Sequence, residues 1–455
     1  MSRASELIDG ELQDVAGSAR AARVRWALGL LTGGSTAVVA DDLPATLAIG
    51  GPFAHPENFA AYVALCSTRL GPYHLAAARR CAGDVIELVL VDAGMRRWRL
   101  RCGVELAPPH RITQFGLERE LPAGIEIRTA TVADANALAD IERGSAIVRD
   151  DGVRVTIVRG ARLFDQLRLM DGSRVFLAEA DGTPIACEAI GVQRARIAGR
   201  PLTLLYRHHT RVLPSHQRLG LNDAFSARIA EFAQTETQAD DGYVYIDPHN
   251  ELVRKWQASP SGIRTWRTAP PWSYQPFRAL LRCDALAGAA AGRPATRGDA
   301  PRIVALLNAC HEREEMFLPY DKHRLAIRLE RLPEQYGWTQ QWLEGDAVVG
   351  VWEAGEECIR DANGTSTASV RAYVLDYSFA PHRGLQDFER LVRAWCTRLV
   401  DRGITHLSIF SSPASPGSSL IRDLAETVAE VQFQCRLAEP SAISERGFYV
   451  DHVYF

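Results

Sequence analysis

Four things are missing from this 455-residue sequence, and each absence closes a class of function. No C-x-x-C pair occurs among the nine scattered cysteines (Cys66, Cys81, Cys102, Cys187, Cys283, Cys310, Cys358, Cys396 and Cys435), so neither a zinc knuckle nor a redox motif is visible. Their odd number and irregular spacing suit reduced thiols rather than a disulfide framework, which points to the cytoplasm. The first residues, "MSRASELIDGELQD", are polar and acidic and lack the apolar core of a secretion signal. No run approaches the roughly 18 apolar residues that cross a bilayer, so a soluble, cytoplasmic protein without membrane partners is expected. Charge of one sign is lacking too. A formal net charge of -3 gives no general attraction to nucleic acid, which makes it an unfavoured partner.

What is present is the balance of a globular protein, 47% hydrophobic and 24% charged, with length for about two to four domains. A long-period repeat organises it. "RTATVADANALADI" from Arg128 and "RPATRGDAPRIVAL" from Arg293 coincide in Arg, Ala, Thr, Asp and Ala at a constant offset of 165 residues. Each reads as a strand, a turn with Asp at the helix start, and a helix. Hairpin patterns follow in both copies, around Asp181-Gly182 and around Gly345-Asp346. Short buried-strand patterns come later, at Tyr243 to Ile246 and at His406 to Phe410. The expected layout is an α/β (α+β) chain: an N-terminal α/β extension at 1–124, one copy at 125–290 and a second at 291–455, each a mixed sheet faced by helices. Function is not assignable to residues 1–124 from sequence.

The stretch "YRHHTRVLPSHQRLGLNDAF", Tyr206 to Phe225, carries the chemistry. Leu202 to Val212 reads as a strand broken by Pro214. A turn then leads into a helix with Leu221, Phe225, Ile229 and Phe232 on one face. A helix start offers unpaired N–H groups and partial positive charge, and Gly220 lets a diphosphate approach them. A Gln-x-x-Gly turn is also compatible with a plain strand-to-helix connection.

Val212, Pro214, Gln217 and Gly220 resemble motif A of the GCN5-related N-acetyltransferases (Val-x-Pro, Gln/Arg-x-x-Gly-x-Gly/Ala). The order of elements from 125 to 455 resembles that family twice, with the ending "GFYVDHVYF" in the place of its last strand. The resemblance implies tandem mixed-sheet domains, with acetyl-CoA or another acyl-CoA as co-substrate in a splay between two parallel strands. Backbone at Thr210, Arg211 and Val212 would meet the pantetheine arm. Gln217, Arg218, Leu219, Gly220, Leu221 and Asn222 would hold the diphosphate, and Asn250 would lie by the pantetheine. No metal is implied. Two positions depart from the family: Asn222 replaces a Gly or Ala, either capping the helix or crowding the diphosphate, and Trp256 stands where a Tyr acid is frequent.

Strict alternation along the strand puts Tyr206, His208, Thr210 and Val212 on one side and His209 and Arg211 on the other. His208 then has the phase of the family's base, Tyr206 is a candidate substrate contact, and His209 is scaffold or faces solvent. The second copy keeps Pro381, Gly384 and Leu385 but shortens the turn, so it is expected to be non-catalytic; the loop "SSPASPGSS" is its alternative route to a ligand. The reaction expected is acyl transfer from acyl-CoA to a small-molecule amine. An aminoacyl-tRNA-dependent transferase of the same fold and a non-catalytic ligand-binding tandem module are the alternatives.

Overall fold

The computed structural model describes residues 18–31, 48–49, 59–80, 84–237, 239, 241–253, 272–288, 290–380, 384–435, 447–451 and 453. Trp256, Pro381 and the shortened turn of the second copy lie outside the described residues.

The N-terminal part is an α/β unit with its own core. Helix α1 (Ser18–Leu31) and strand β1 (Ala48–Ile49) precede helix α2 (Phe59–Leu70). Strands β2 (Tyr73–Arg80), β3 (Val85–Asp92), β4 (Arg97–Val104) and β5 (Ile112–Arg119) complete a sheet of order β1-β5-β4-β3-β2. Alternation along β4 explains its two faces. Trp98, Leu100 and Cys102 are buried against Val24, Phe59 and Val63 of the helices, while Arg97, Arg99 and Arg101 point the other way.

The first repeat contributes β6 (Ile125–Thr129), helix α3 (Ala135–Gly144), the short strands β7 (Ile147–Val148) and β8 (Arg154–Val158), and helix α4 (Ala161–Leu169). The hairpin β9 (Gly172–Ala180) and β10 (Thr183–Ile197) follows, then β11 (Arg200–Val212), helix α5 (Leu221–Phe232), β12 (Asp241–Ile246) and β13 (Trp272–Tyr274). Asp181 and Gly182 both have positive φ, as a two-residue hairpin turn requires. The second repeat begins after β14 (Phe277–Arg282). It runs β15 (Arg293–Pro294), helices α6 (Ala300–His311) and α7 (Lys322–Glu330), β16 (Gln341–Glu344), β17 (Ala347–Ala362), β18 (Thr365–Phe379), helix α8 (Gly384–Val400), β19 (His406–Ser411), helix α9 (Ser418–Leu424), β20 (Thr427–Glu430) and β21 (Gln432–Cys435).

Both repeats have the same arrangement, a mixed sheet in which two parallel strands pair only at their start. β11 and β12 pair from Leu204/Asp241 to Tyr206/Tyr243, and β18 and β19 from Arg371/His406 to Tyr373/Ser408, before each pair diverges. The helix stripe Leu221, Phe225, Ile229 and Phe232 is buried, as is Phe388, Leu391, Val392, Trp395 and Leu399 in α8.

The two sheets also exchange strands. The first runs β13-β21-β12-β11-β10-β9-β6, taking β21 from the far end of the chain. The second runs β15-β16-β17-β18-β19-β14-β20, taking β14 from before the linker, and β8 pairs with its β17. A cut near residue 290 therefore separates the repeats in sequence but not in their sheets. This corrects the expected last strand. Residues 447–451 form only a bridge from Phe448 to Glu315, and the place beside β19 in the second sheet is held by β14.

Among the described residues no helix is long and apolar enough to cross a membrane, and the eight cysteines are all free thiols.

Candidate active site between two diverging strands

Past Tyr206 the β12-facing edge of β11 has no strand partner among the described residues, and a cavity of about 2140 Å³ opens there. Tyr206, His208, Thr210, Arg211, Val212, Gln217, Arg218, Gly220, Leu221, Asn222 and Asn250 all line it; Leu219 does not, and packs beside the buried stripe of α5. Eleven arginines and seven carboxylates line this cavity in a chain whose net charge is -3, so it carries an excess of four positive charges. An anionic ligand is favoured there.

The turn into α5 is built as its glycine predicts. Gly220 is the helix N-cap at φ 93°, and Arg218 before it is also left-handed. The N-terminal sheet meets the turn directly: Arg119 Nη1 donates to the Arg218 carbonyl at 2.5 Å, and Arg69 pairs with Asp223. Residues 1–124 thus supply a wall of this cavity, through Arg69, Arg99, Arg101 and Arg119. Asn222 does not cap the helix, whose N-cap is Gly220. Its Oδ1 accepts from Arg207 at 3.0 Å, and Arg207 is itself anchored on fully buried Glu188. Asn250 accepts from the Val253 N–H at 3.2 Å through Oδ1, so its side chain stabilises the turn after β12 while lining the cavity.

The faces of β11 differ from strict alternation. Ala189 pairs with His208 and Cys187 with Arg211, so three steps on β11 match two on β10. The extra residue makes a bulge, with His209 at φ 56°. Arg207 turns toward Ser226 of α5, whereas the His209 ring meets Glu142 of α3 on the opposite side. His208, stacked on Tyr206 at 4.5 Å, shares that side. The two histidines are therefore neighbours on one face, and His209 is buried scaffold, its side chain wholly inaccessible.

His208 is 8% exposed, and its Nε2 is buried with no hydrogen-bond partner among the described residues. Burial, then His209, Arg159 and Arg211, push its pKa well below the usual 6.5, so the ring is neutral at neutral pH. Tyr206 is packed between His208 and Tyr243 at 4.5 and 5.0 Å, and burial raises its phenol, keeping it protonated. Sequence reading had taken Tyr243 and Tyr245 as ordinary strand residues; both join this aromatic cluster at the foot of the splay. Arg159, Glu142 and Arg119 were also missed, since no motif marks them and only the fold brings them to β11 and α5.

The second splay is filled rather than open. Tyr377 Oη bridges to Ser411 Oγ at 3.2 Å, and His311 Nε2 lies 2.6 Å from the Tyr377 carbonyl. Glu314 joins His311 to Ser415, and Ser412 Oγ accepts from the Phe448 N–H at 2.9 Å. Ser412 and Ser415 of "SSPASPGSS" are buried in this network. Behind it Asp376 is fully buried, accepting from Arg328 Nε at 3.0 Å and from Tyr320, Tyr336 and Tyr449.

These histidines are expected to give stability an optimum in pH. His208 and His209 (the latter lowered to about 4) are depressed by burial, so their contribution is present above the unfolded value near 6.5 and is lost as pH falls below it. His311 is buried beside Glu314, which raises it well above 6.5; its contribution is present below 6.5 and is lost as pH rises. Urea-unfolding free energies measured at pH 5, 6.5 and 8 are expected to peak at the middle value. The acid-side loss is about 1.4 kcal/mol per pH unit for each depressed histidine. A flat profile across that range contradicts the assignment.

No protein-family model matches the chain, and no curated protein matches it. Among solved structures it is similar to N-myristoyltransferase of Saccharomyces cerevisiae with bound myristoyl-CoA, at TM-score 0.49 and 10% identity over 73% of this chain and 82% of that one. It is also similar to a GCN5-related N-acetyltransferase from Kribbella flavida, at TM-score 0.35 and 17% identity over 71% and 75%. Both scores fall below 0.5, and the geometry of the site stands on this chain's own residues.

Proposed function

We propose that the chain is an acyl-CoA-dependent N-acyltransferase whose first half is catalytic, with acetyl-CoA as the donor to try first and a small-molecule amine as the acceptor. The observation that carries this reading is the unpaired edge of β11, opening into a cationic cavity at the start of α5. A pantetheine arm can complete the edge as a strand would. The diphosphate then falls at the N-terminus of α5, beside Arg218 and Arg119. Residues 1–124 take part by lining that end of the cavity.

In the reaction, the acceptor amine attacks the thioester carbonyl, the C–N bond forms, the C–S bond breaks and CoA leaves as its thiolate. His208 Nε2 takes the amine proton, directly or through a water, and backbone N–H groups from Thr210 to Val212 hold the developing oxyanion. Tyr206 fixes the plane of the His208 ring by stacking. The second half supports the first without a coenzyme of its own, since its splay is filled by Tyr377, His311 and the 447–451 segment.

Calorimetry of the full chain with CoA and acetyl-CoA tests the reading, and absence of binding to both overturns it. His208→Ala is expected to lower acetyl transfer to a panel of amines by roughly 10²-fold or more while leaving CoA affinity unchanged. Equal transfer by both proteins removes His208 from the mechanism.

A further inference from the structure

A left-handed non-glycine residue persists only when its surroundings over-determine it. His209 is such a residue, and what surrounds it belongs to both halves of the molecule. Arg159 Nη1 lies 2.9 Å from His209 Nδ1. A guanidinium can only donate, so Nδ1 accepts, and the ring proton sits on Nε2, which faces Glu142 Oε1 at 2.8 Å. The other Glu142 oxygen accepts from the Arg159 N–H at 2.8 Å and from the Gly160 N–H at 3.0 Å. This locks helix α3 to the loop that carries the arginine.

The chain of contacts then crosses into the second half. Arg159 Nε pairs with Glu356 Oε2 at 2.6 Å, and the Tyr373 hydroxyl donates to Glu356. Glu356 and Tyr373 are both buried. They lie on β17 and β18 where the pairing slips between Trp352 and Glu356. The carboxylate is thus aimed out of the second sheet at the first half's bulge.

We propose that Glu142, Arg159 and, from the second half, Glu356 and Tyr373 form one positioning chain that holds His209 in its left-handed conformation and so sets the edge of β11 that receives the acyl carbonyl. The inference rests on the coenzyme reading above. It gives the second half a function: its strand pair supplies the outer end of the clamp. Glu356 and Tyr373 touch neither coenzyme nor acceptor, and act only through Arg159 and His209.

The test compares CoA with acetyl-CoA by calorimetry on the full chain, so no acceptor is needed. In the wild type the carbonyl contact makes acetyl-CoA bind about fivefold tighter than CoA, the worth of one hydrogen bond. In Glu356→Gln and in Tyr373→Phe that preference is expected to fall to about onefold, with CoA affinity itself held within about twofold. Glu353→Gln, on the same strand but paired with Arg398 and Arg402, keeps the full preference. Tyr373→Phe preserves the ring and carries the test if Glu356→Gln does not fold. The proposal is overturned by variants that keep the acyl preference, by variants that lose CoA affinity in parallel, or by a wild type that binds CoA without any acyl preference. A wild type that binds neither ligand instead removes the coenzyme reading.

Discussion

Gly220→Glu is expected to weaken CoA binding by about 100-fold or more. The position is left-handed at φ 93°, and any Cβ there meets the Arg119 side chain at 3.3 Å. Strain alone costs on the order of 1–2 kcal/mol of stability. A flexible arginine can give way, so strain is the smaller part of the effect. The larger part is charge. The carboxylate would occupy the N-terminus of α5, where the partial positive charge of the helix, Arg218 and Arg119 would hold the proposed diphosphate. Gly220→Ala separates the two contributions: it keeps the strain and adds no charge, so its stability loss should resemble that of the glutamate while its affinity loss stays small. Calorimetry and thermal unfolding of the three proteins read both effects. Unchanged CoA binding in Gly220→Glu would falsify the placement of the diphosphate.

Arg328→Met is expected to produce the largest loss of stability, about 3–5 kcal/mol. Arg328 is buried with a bidentate pair to Asp451 at 2.8 and 2.9 Å and a third bond to Asp376. The side chains of the two acids are 8% and 0% exposed, so removal of the cation leaves two buried carboxylates without compensation. Burial already raises Asp451 above the ordinary aspartate value even with Arg328 present. Without the arginine Asp451 shifts further up, and a protonated acid needs no counter-charge. The deficit measured by urea unfolding should therefore be greatest at pH 7 and shrink toward pH 5. A loss below about 1 kcal/mol at pH 7 would mean that the cluster contributes little to holding the second half together.

Much of the fold was legible because local patterns and global structure agree. The Asp-Gly turn, the turns with Asp at the helix start at Asp134 and Asp299, and the buried stripe of α5 each depend on a few adjacent residues, and the repeat states the helix start twice. Gly220 was legible for the same reason. The faces of β11 were not. Alternation is a property of regular strands, and one inserted residue at His209 reverses the parity of everything after it. Nothing in "RHHTRV" announces that insertion; it shows in the register against Ala189 and Cys187. The last strand was misplaced for a different reason. "GFYVDHVYF" has strand character, but the place beside β19 is held by Phe277–Arg282, from before the linker.

The sequence by itself determined two mixed-sheet repeats, a glycine turn feeding a helix in the first, and His208 on the strand before it. These are matters of spacing along a few neighbouring residues. Only the tertiary structure decided that His208 is buried with a free nitrogen, that His209 is clamped from both halves, that an N-terminal sheet walls the cavity, and that the second splay is filled. Each of these depends on groups far apart in the chain: His209 with Glu142, Arg159 and, through Arg159, Glu356; Arg119 with Arg218; Tyr377 with Ser411. Burial, pairing and charge at a site are sums over such distant neighbours, and strand exchange between the two sheets brings them together.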